Sequence, residues 1–504
     1  MHCRAAMIPR GHSIILVLAV VLSAIGAARP AAAATPHALP AAVRVNIAGL
    51  GVLVAEIGST GSFTATAPDG KQLYKGNGTV AVRRNVYRIR DGPPLPDRRT
   101  RPADAEERAS RLQQIRDARV ANAELGDRAI ALVPFEVSIL TAADPIGETA
   151  LRADRILGVR FTADDGLLTF HGRAYRGTFE VTPDDEGDMI VVNTVATFDY
   201  LAGVVGGEMP SSWHPEALAA QAIAARTYLL THMQRHDRYD IEGDTRDQNY
   251  EGLGSTTAAT IRAVERTRGL VATYRGAAIE ALYSANAGGI TEDSENVFGN
   301  ALPYLRGVAS PWDREAESSS WGHTSWEWTK ELTAPQLGAY LRQRSFDVGE
   351  PQRIELVKTT PAGRVLQVRV VGTKDIREIG KDRTRYYFGL MSTLFTVERK
   401  GGGEQETVSY LQADRIRELE ALEAKVVSIG YRVTWDADRE IATFTPSSST
   451  YELPARFVFT GKGFGHGVGM SQWGMQGMAL AGRSAEEILR YYYTGIVLTN
   501  VGGA

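Results

Sequence analysis

Glu208 is the residue whose type and neighbours first suggest chemistry. It follows Gly206 and Gly207 and precedes Met209 and Pro210, so its surroundings along the chain are small or apolar. An acid that protonates a leaving oxygen near neutral pH needs a raised pKa, and apolar surroundings provide one. The sequence leaves two interpretations open: a working acid on a turn, or a carboxylate that caps the helix after it.

Glycoside cleavage is one reaction that such an acid could perform. It normally needs two carboxyl groups, one that protonates the leaving oxygen and one that activates water or attacks directly. Candidates for the second group lie in TEDSEN, residues 291–296. If a hydroxyl of the substrate attacks instead of water, one carboxylate that acts first as acid and then as base is sufficient.

A second candidate is the stretch GKGFGHGVGMSQWG, residues 461–474, with Gly at every second position from Gly461 to Gly469. In a strand this pattern leaves one face bare, so a ligand or another backbone could approach closely. The opposite face would then carry Lys462, Phe464, His466, Val468 and Met470. A crowded crossing in the core is the structural alternative. A phosphate-binding loop is disfavoured because the pattern lacks GxxxxGK[ST].

Metal and nucleophile chemistry have weaker support. His232 and His236 lie one helical turn apart, which could hold zinc, but the chain has no HExxH motif and both histidines also suit a helix C-terminus. Ser284 and Ser471 do not lie in GxSxG. We therefore expect no metal and no cofactor.

The elements that must position these residues are of mixed type. Six alanines and a first-turn Pro215 predict a helix from near Trp213 to about Arg235. Alternating patterns predict strands within 43–90, 127–195 and 351–450, and further helices are expected near 256–268 and 475–495. Charged helical segments are expected within 91–126 and at 409–427. The predicted class is α+β, with a β-rich core, a central Ala-rich helix and a C-terminal helix.

Composition narrows the classes of partner. The 504 residues are 43% hydrophobic and 23% charged, with a net charge of −3. This balance argues against a nucleic-acid-binding surface and leaves carbohydrate or peptide substrates open. The only cysteine is Cys3.

The N-terminus has the layout of a secretory signal. Arg4 and Arg10 precede the apolar run 14–26, and ARPAAAATP follows, so cleavage is expected after Ala34. The protein is then exported to a periplasm or cell wall and meets a membrane only through this segment. The alternative is an uncleaved N-terminal anchor.

Four blocks of the sequence are similar to the SpoIID/LytB family, the stage II sporulation protein D proteins. They are FDYLAGVVGGEMPSSWHPEALAAQAIAARTYLL, DTRDQNYEGLGSTTAATIRAVERTRGLVATYRG, ALYSANAGGITEDSENVFG with LPYLRGVASPWD, and GKGFGHGVGMSQWGMQGMALAGRSAEEILRYYYTG. They follow the family's order and span about residues 165–498. The resemblance implies a SpoIID-like domain over 127–500 with an insertion around 398–430, preceded by a β unit and charged linker over 43–126.

The resemblance also implies a function. Sporulation members are lytic transglycosylases that cut peptidoglycan glycan strands from which stem peptides have been removed, and their acid/base matches Glu208. The family's site arginine matches Arg226. We expect further substrate contacts within the matching blocks, from Gln221, Ser284, Gly288, Gly289, Lys462, His466, Ser471 and Gln472. LytB-type members are amidase enhancers, so the alternative is a non-catalytic protein whose partner is a cell-wall amidase.

Two positions depart from the family pattern. Ala219 stands where many relatives have lysine, which puts one substrate contact in doubt. Asp247, Gln248 and Asn249 stand where some relatives carry a cysteine that holds zinc, so no metal is carried over.

Overall fold

The computed structural model describes residues 39–84, 137–140, 158–184, 188–233, 235–320, 322–401, 408–412, 431–436, 441–446 and 454–502. The expected signal segment 1–34 and the charged stretch 91–126 lie outside these ranges. The strands are β1 (Ala42–Asn46), β2 (Val54–Ser59), β3 (Phe63–Thr66), β4 (Gln72–Gly76), β5 (Thr79–Arg84), β6 (Val137–Leu140), β7 (Val159–Ala163), β8 (Leu168–Phe170), β9 (Arg173–Tyr175), β10 (Thr178–Pro183), β11 (Met189–Ala196), β12 (Ile241–Glu242), β13 (Leu270–Tyr274), β14 (Ala277–Ala278), β15 (Tyr283–Ser284), β16 (Glu327–Thr333), β17 (Pro351–Thr359), β18 (Val365–Gly372), β19 (Ile376–Gly380), β20 (Phe395–Lys400), β21 (Val408–Gln412), β22 (Tyr431–Asp436), β23 (Ile441–Pro446), β24 (Arg456–Lys462), β25 (Met470–Ser471) and β26 (Val497–Asn500).

The α-helices of the described residues complete a mixed α+β fold, as the sequence predicts. They are α1 (Thr197–Glu208), α2 (Pro215–His232), α3 (Ala258–Arg266), α4 (Ser294–Val297), α5 (His323–Trp326), α6 (Ala334–Arg342), α7 (Arg383–Phe388), α8 (Gln472–Leu480) and α9 (Ala485–Tyr492). Within the described ranges, none of the helices combines the length and apolar character needed to cross a bilayer.

Local sequence explains α2 well. Pro215 occupies the first turn, and Nδ1 of His214 accepts a hydrogen bond from the Glu216 N–H at 3.2 Å. The helix ends at His232, three residues before the predicted end. The C-terminal segment forms two helices instead of one, because Ser484 begins α9 with a capping box to Glu487.

Two large sheets unite the N-terminal half. The seven-stranded sheet has the order β12-β1-β11-β10-β7-β3-β4, and the five-stranded sheet has the order β6-β5-β2-β8-β9. Strand β1 pairs with β11 and β2 pairs with β8. Strands from both sides of residue 126, the expected domain boundary, therefore share the same sheets.

The described residues form two hydrophobic cores. The first core packs the two large sheets against α1, α2, α8 and α9, with members from Leu39 to Ile496. The second core lies within residues 328–459 and is built from the sheets β16-β24-β20 and β17-β18-β19 with α6. Strand β24 runs directly from the second core into the glycine-rich stretch, so the two units meet there.

The predicted helix over 409–427 also differs in the structure. The sequence predicts a helix over 409–427, but its first residues belong to β21, which pairs with β23. Cross-strand pairing, which sequence periodicity does not report, decides the conformation there. Residues 413–430, which make up the rest of the expected charged helix, lie outside the described ranges.

Candidate active site

Glu208 is the last residue of α1, not part of an isolated turn as its sequence suggests. Glycine and β-branched valine lower the intrinsic helix propensity of GVVGGE, so tertiary packing must stabilise this helix. A Cβ on Gly206 would collide with the carbonyl oxygen of Ser255, and one on Gly207 with that of Asn249. The glycines therefore allow residues 249–255 to pack directly on the helix that carries the acid.

Three donors converge on the Glu208 carboxylate. The Asn249 N–H donates to Oε1 at 2.7 Å, and Nε2 of Gln472 lies 3.3 Å from Oε2. The Tyr283 hydroxyl forms a further hydrogen bond. These partners come from three separate segments, so the tertiary fold fixes the carboxylate from three directions.

A buried amide orients the Tyr283 hydroxyl. Gln248 accepts from the Tyr200 hydroxyl at 3.1 Å through Oε1 and donates to the Tyr283 hydroxyl at 3.0 Å through Nε2. Since the Tyr283 oxygen already accepts this hydrogen bond, its own proton is directed to Glu208. A series of hydrogen bonds therefore connects Tyr200, in the first core, through Gln248 and Tyr283 to Glu208.

The environment raises the pKa of Glu208 to about 6. Burial is the largest cause because it penalises the ionised carboxylate. The hydrogen bonds from Asn249, Gln472 and Tyr283 act in the opposite direction and keep the shift moderate. Glu208 is half-buried as a residue, and a carboxyl group with a pKa of about 6 can exchange a proton near neutral pH.

The glycine-rich stretch is a loop and not the strand that its alternation predicts. Strand β24 ends at Lys462, and Gly463, Gly465, Gly467 and Gly469 all have positive φ, between 74° and 111°. The alternation arises because each of these positions adopts a backbone conformation that side-chain-bearing residues disfavour. The prediction of close backbone approach is confirmed: a Cβ on Gly463 would lie 2.8 Å from the carbonyl oxygen of Asn286.

His466 in this loop contacts the site through backbone groups. Its Nδ1 accepts from the Val468 N–H at 3.0 Å, so the neutral ring carries its proton on Nε2, and it also hydrogen-bonds the Tyr283 backbone. Burial lowers the pKa of His466 to about 4. The imidazole is therefore neutral at physiological pH and supports the segment that contains Tyr283.

Ser284 and Ser471 lie opposite each other in the short parallel pair β15–β25. The Ser471 hydroxyl donates to Asp313, accepts from the Ala287 N–H at 3.1 Å and caps α8. The Ser284 hydroxyl is buried and has no hydrogen-bond partner among the described residues. In this arrangement Ser471 is a structural cap.

Gly288 and Gly289 form a turn with φ of 75° and 97°. The Gly289 N–H donates to Oδ2 of the buried Asp313 at 2.9 Å. Asp313, which the sequence analysis did not select, therefore fastens this turn to α8 through Ser471.

Arg226 donates its described hydrogen bonds to residues outside the predicted site. Its side chain is fully buried and donates to the carbonyls of Val264 at 3.1 Å and Leu270 at 3.2 Å and to the Thr267 hydroxyl at 3.3 Å. None of these groups hydrogen-bonds Glu208 in the part of the chain that the structure describes. The placement instead joins α2 to the end of α3 and to β13.

Gln221 and Lys462 also lack a described contact with Glu208. Gln221 is fully buried, and neither amide atom has a hydrogen-bond partner among the described residues. Lys462 is exposed, lies 2.9 Å from Glu327 and sits over the Trp326 ring. Of the predicted substrate-binding residues, Gln472 is the one with a direct hydrogen bond to Glu208 in the described ranges.

Known proteins are similar to this chain over much of its length. A family model described as SpoIID, stage II sporulation protein, matches residues 185–274, which include Glu208 and Asn249. An uncharacterized protein of Brachyspira hyodysenteriae is 30% identical over 346 residues, 67% of this chain and 76% of that protein. Stage II sporulation protein D of Bacillus amyloliquefaciens is 28% identical over 60% of this chain and 74% of its own length. The chain belongs to the SpoIID family.

Two further matches concern this SpoIID-family chain. The amidase enhancer of Bacillus subtilis is 31% identical over 307 residues, which are 60% of this chain and 40% of that protein. Residues 312–414 match a domain of unknown function, DUF8618. This second match covers much of the second core.

His232 and His236 both have other contacts in the structure. His232 is buried, Nδ1 hydrogen-bonds the Tyr228 carbonyl at 2.9 Å, and burial lowers its pKa to about 3. His236 stacks on Tyr239. Across the described ranges, no three His, Cys, Asp or Glu side chains cluster as metal ligands would.

Gln248, Asn249 and Tyr283 were not among the predicted site residues, yet they complete the surroundings of Glu208. The sequence does carry a signal that could have identified these residues, since DQNYEG and YSANAGG lie in blocks that resemble the SpoIID family. Asn249 acts through its backbone N–H, and no side-chain pattern reveals such a contact.

Proposed function

We propose that this protein is a cell-wall protein that cleaves the glycan strands of peptidoglycan by lytic transglycosylation. The observation that carries the proposal is a half-buried Glu208 whose pKa is about 6 and whose carboxylate receives three hydrogen bonds. Membership of the SpoIID family supports a substrate in the cell wall. Strands without stem peptides are the expected substrate class.

In the proposed mechanism Glu208 acts twice. Its protonated carboxyl group donates the proton to the glycosidic oxygen as the bond from that oxygen to the anomeric carbon of the muramic residue breaks. The carboxylate then accepts the proton of the muramic C6 hydroxyl as that oxygen bonds to the anomeric carbon. The attacking hydroxyl is tethered to the same sugar, so proximity favours it over water. The product ends in 1,6-anhydromuramic acid, and Glu208 is protonated again.

The neighbours of Glu208 suit both steps. Burial favours the protonated acid before the first proton transfer, whereas the Asn249, Gln472 and Tyr283 hydrogen bonds stabilise the carboxylate that forms after it. A pKa of about 6 leaves neither state strongly preferred near neutral pH, as a group that alternates between acid and base requires.

The acids of TEDSEN have other contacts. Glu295 pairs with Arg306, and this ion pair lowers its pKa to about 2. Glu292 accepts from the Thr360 hydroxyl at 2.6 Å and from the Asn296 amide at 2.7 Å. These contacts favour a mechanism with one carboxylate over hydrolysis with a second acid from this segment.

Product analysis tests the proposal. Purified protein is incubated with intact peptidoglycan and with strands stripped of stem peptides, and the soluble fragments are examined by mass spectrometry. We expect fragments with 1,6-anhydromuramic ends, each lighter by one water than the hydrolysed fragment, mainly from stripped strands. Reducing ends would refute transglycosylation in favour of hydrolysis.

The second candidate function is enhancement of a cell-wall amidase without glycan cleavage. It is favoured by the similarity to a protein named amidase enhancer. In the same assay, strands that stay uncut while an added N-acetylmuramoyl-L-alanine amidase releases stem peptides faster would support this function and contradict the first.

A further inference from the structure

Arg364 joins the second core to the segments beside Glu208. It follows β17 and precedes β18 on their connecting turn, and its side chain is only 1% exposed. It lies within the match to the domain of unknown function and outside the SpoIID family match. Its contacts, however, lie largely in the SpoIID-like blocks.

The Arg364 guanidinium contacts two segments of the site region. Nη2 donates to the carbonyl oxygens of Ala287 and Ile290, which flank the Gly288–Gly289 turn. A Cβ on Gly467 would collide with the same guanidinium. The glycine at 467 therefore gives the arginine the space to lie between residues 283–292 and 463–469.

Thr360, on the same turn, contacts segment 283–292 directly. Its hydroxyl accepts from the Arg364 N–H at 3.1 Å and donates to Glu292 at 2.6 Å. The Glu292 N–H in turn donates to the Gly467 carbonyl at 2.8 Å. The Arg364 guanidinium therefore contacts both segments. The Thr360 hydroxyl contacts the first segment, which Glu292 in turn joins to Gly467.

Burial of this cation is costly, because a guanidinium loses its hydration. Burial lowers the pKa of Arg364 to about 10, so the group stays charged at neutral pH, and Glu292, Asp313 and Asp382 provide opposing charge. Nε and Nη1 have no hydrogen-bond partner among the described residues. An incompletely satisfied buried charge is a poor source of stability, which favours a specific positioning role.

Hydrogen bonds connect segments 283–292 and 463–469 to Glu208 through Tyr283. His466 is adjacent to Gly467 and hydrogen-bonds the Tyr283 backbone. Tyr283 begins the segment that contains Ala287, and its hydroxyl hydrogen-bonds Glu208. A displacement of either segment would therefore move the Tyr283 hydroxyl relative to the carboxylate.

We propose that Arg364 is a positioning residue that holds segments 283–292 and 463–469 together and so keeps Tyr283 hydrogen-bonded to Glu208. This gives the region that matches a domain of unknown function a role in the active-site geometry. The catalytic part of this inference rests on the proposed function of Glu208, whereas the contact between the segments does not.

Hydrogen exchange and kinetics of Arg364→Met test the inference in the full chain. We expect amides in 283–292 and 463–469 to exchange at least about tenfold faster. The kcat for stripped strands should fall by about 10- to 100-fold with KM within about twofold. The alkaline limb of the pH profile should move to higher pH because Glu208 loses a donor. Tyr200 and Tyr283, which interact electrostatically with Glu208, have raised pKa values and stay neutral over this range.

Arg344→Met is the matched control. Arg344 lies in the same unit, stacks on the Tyr340 ring and donates to the Tyr340 carbonyl at 3.2 Å. This variant should loosen only its own surroundings and retain wild-type activity. If Arg364→Met does not fold, Thr360→Val replaces it, with the same direction of change expected.

The outcomes separate the two proposals. Unchanged exchange in both segments of a folded Arg364 variant, or equal effects from the Arg344 variant, would overturn the positioning role. If the wild-type protein leaves glycan uncut, the proposed function fails, while the exchange measurement still decides whether Arg364 holds the segments.

Discussion

At the scale of single residues, the chemistry depends on a balance around Glu208. Burial raises its pKa to about 6, and hydrogen bonds from Asn249, Gln472 and Tyr283 limit that rise. Burial alone would favour the acid role, and hydrogen bonds alone would favour the base role. The structure combines both effects on one carboxyl group.

Glu208→Gln tests the proton transfer directly. The amide has similar shape but cannot donate and recover a proton, so glycan cleavage should fall by at least about 100-fold while glycan binding persists. Product release and strand binding are the measurements. Glu251→Gln is the control, because Glu251 is a partly exposed glutamate paired with Arg173 and should keep full activity. Residual cleavage within about tenfold of wild type would contradict the role of Glu208.

The same substitution has a pH-dependent effect on stability. The pKa of Glu208 in the folded state lies above the ordinary 4.5. Its favourable contribution to the free energy of unfolding is therefore fully present below pH 4.5 and is lost as pH rises through about 6. Between about pH 4 and 8, the unfolding free energy of the Gln variant should therefore rise relative to wild type, by at most about 2 kcal/mol. Thermal melts of the wild type and the Gln variant at both pH values measure this difference in stability.

Tyr283→Phe tests the hydrogen bond from the hydroxyl. Its loss removes a group that lowers the pKa of Glu208, so the alkaline limb of the kcat/KM profile should move to higher pH. Tyr491→Phe is the control, since that hydroxyl donates to the Ala309 carbonyl. An alkaline limb that stays in place would mean that Tyr283 does not tune the acid.

At the scale of elements, close packing of α1 against residues 249–255 sets the position of Glu208. Helical glycine normally costs stability relative to alanine, by about 1 kcal/mol. Here the absent Cβ atoms of Gly206 and Gly207 let a backbone segment pass over the helix end. Packing therefore outweighs local propensity in this helix.

Gly207→Ala should be destabilising despite its better helix propensity. The added Cβ would collide with the Asn249 carbonyl, and overpacking of this kind costs about 1–3 kcal/mol. Denaturant unfolding measures the loss, and activity should fall because Asn249 moves away from Glu208. Gly254→Ala is the matched control, because a Cβ there would meet no atom within 4 Å. A Gly207→Ala variant as stable and active as wild type would contradict this packing argument.

Arg226 tests the junction of α2, α3 and β13. In Arg226→Met, the carbonyls of Val264 and Leu270 lose the hydrogen bonds from the guanidinium, so stability should fall by about 2–4 kcal/mol, while the folded fraction stays active. Arg266→Met is the control, because its ion pair with Glu216 is partly exposed and is worth at most about 1 kcal/mol. Normal stability with lost activity would instead support the site role that the family resemblance implies.

At the scale of the whole molecule, two cores meet at the site. Strand β24 belongs to the second core and leads into the glycine-rich loop, and the Trp328 indole donates to the Gly463 carbonyl at 2.9 Å. The second core is therefore joined to the loop near Glu208 by a direct hydrogen bond and by the continuous chain of β24.

Export is the prediction that concerns the N-terminal segment. The basic residues, apolar run and small residues before position 35 predict cleavage after Ala34. N-terminal sequencing of protein recovered from the cell envelope should therefore begin at Thr35. A mature chain that still begins at Met1 would indicate an N-terminal anchor.

The sequence by itself determined the family, the candidate acid and the strongest helix. Four blocks in order identify a SpoIID-like protein, and local signals such as Pro215 and the alanines fix the start of α2. These features depend on residues close together in the chain, where propensity and spacing act directly.

Only the tertiary structure decided what surrounds the acid. The Asn249 N–H lies 41 residues from Glu208 along the chain and Gln472 lies 264 residues away. It also placed Arg226 among the carbonyls of α3 and β13 and turned the glycine alternation into a loop. The physical reason is that backbone donors, close approaches and burial arise from packing between distant segments, which no local pattern encodes.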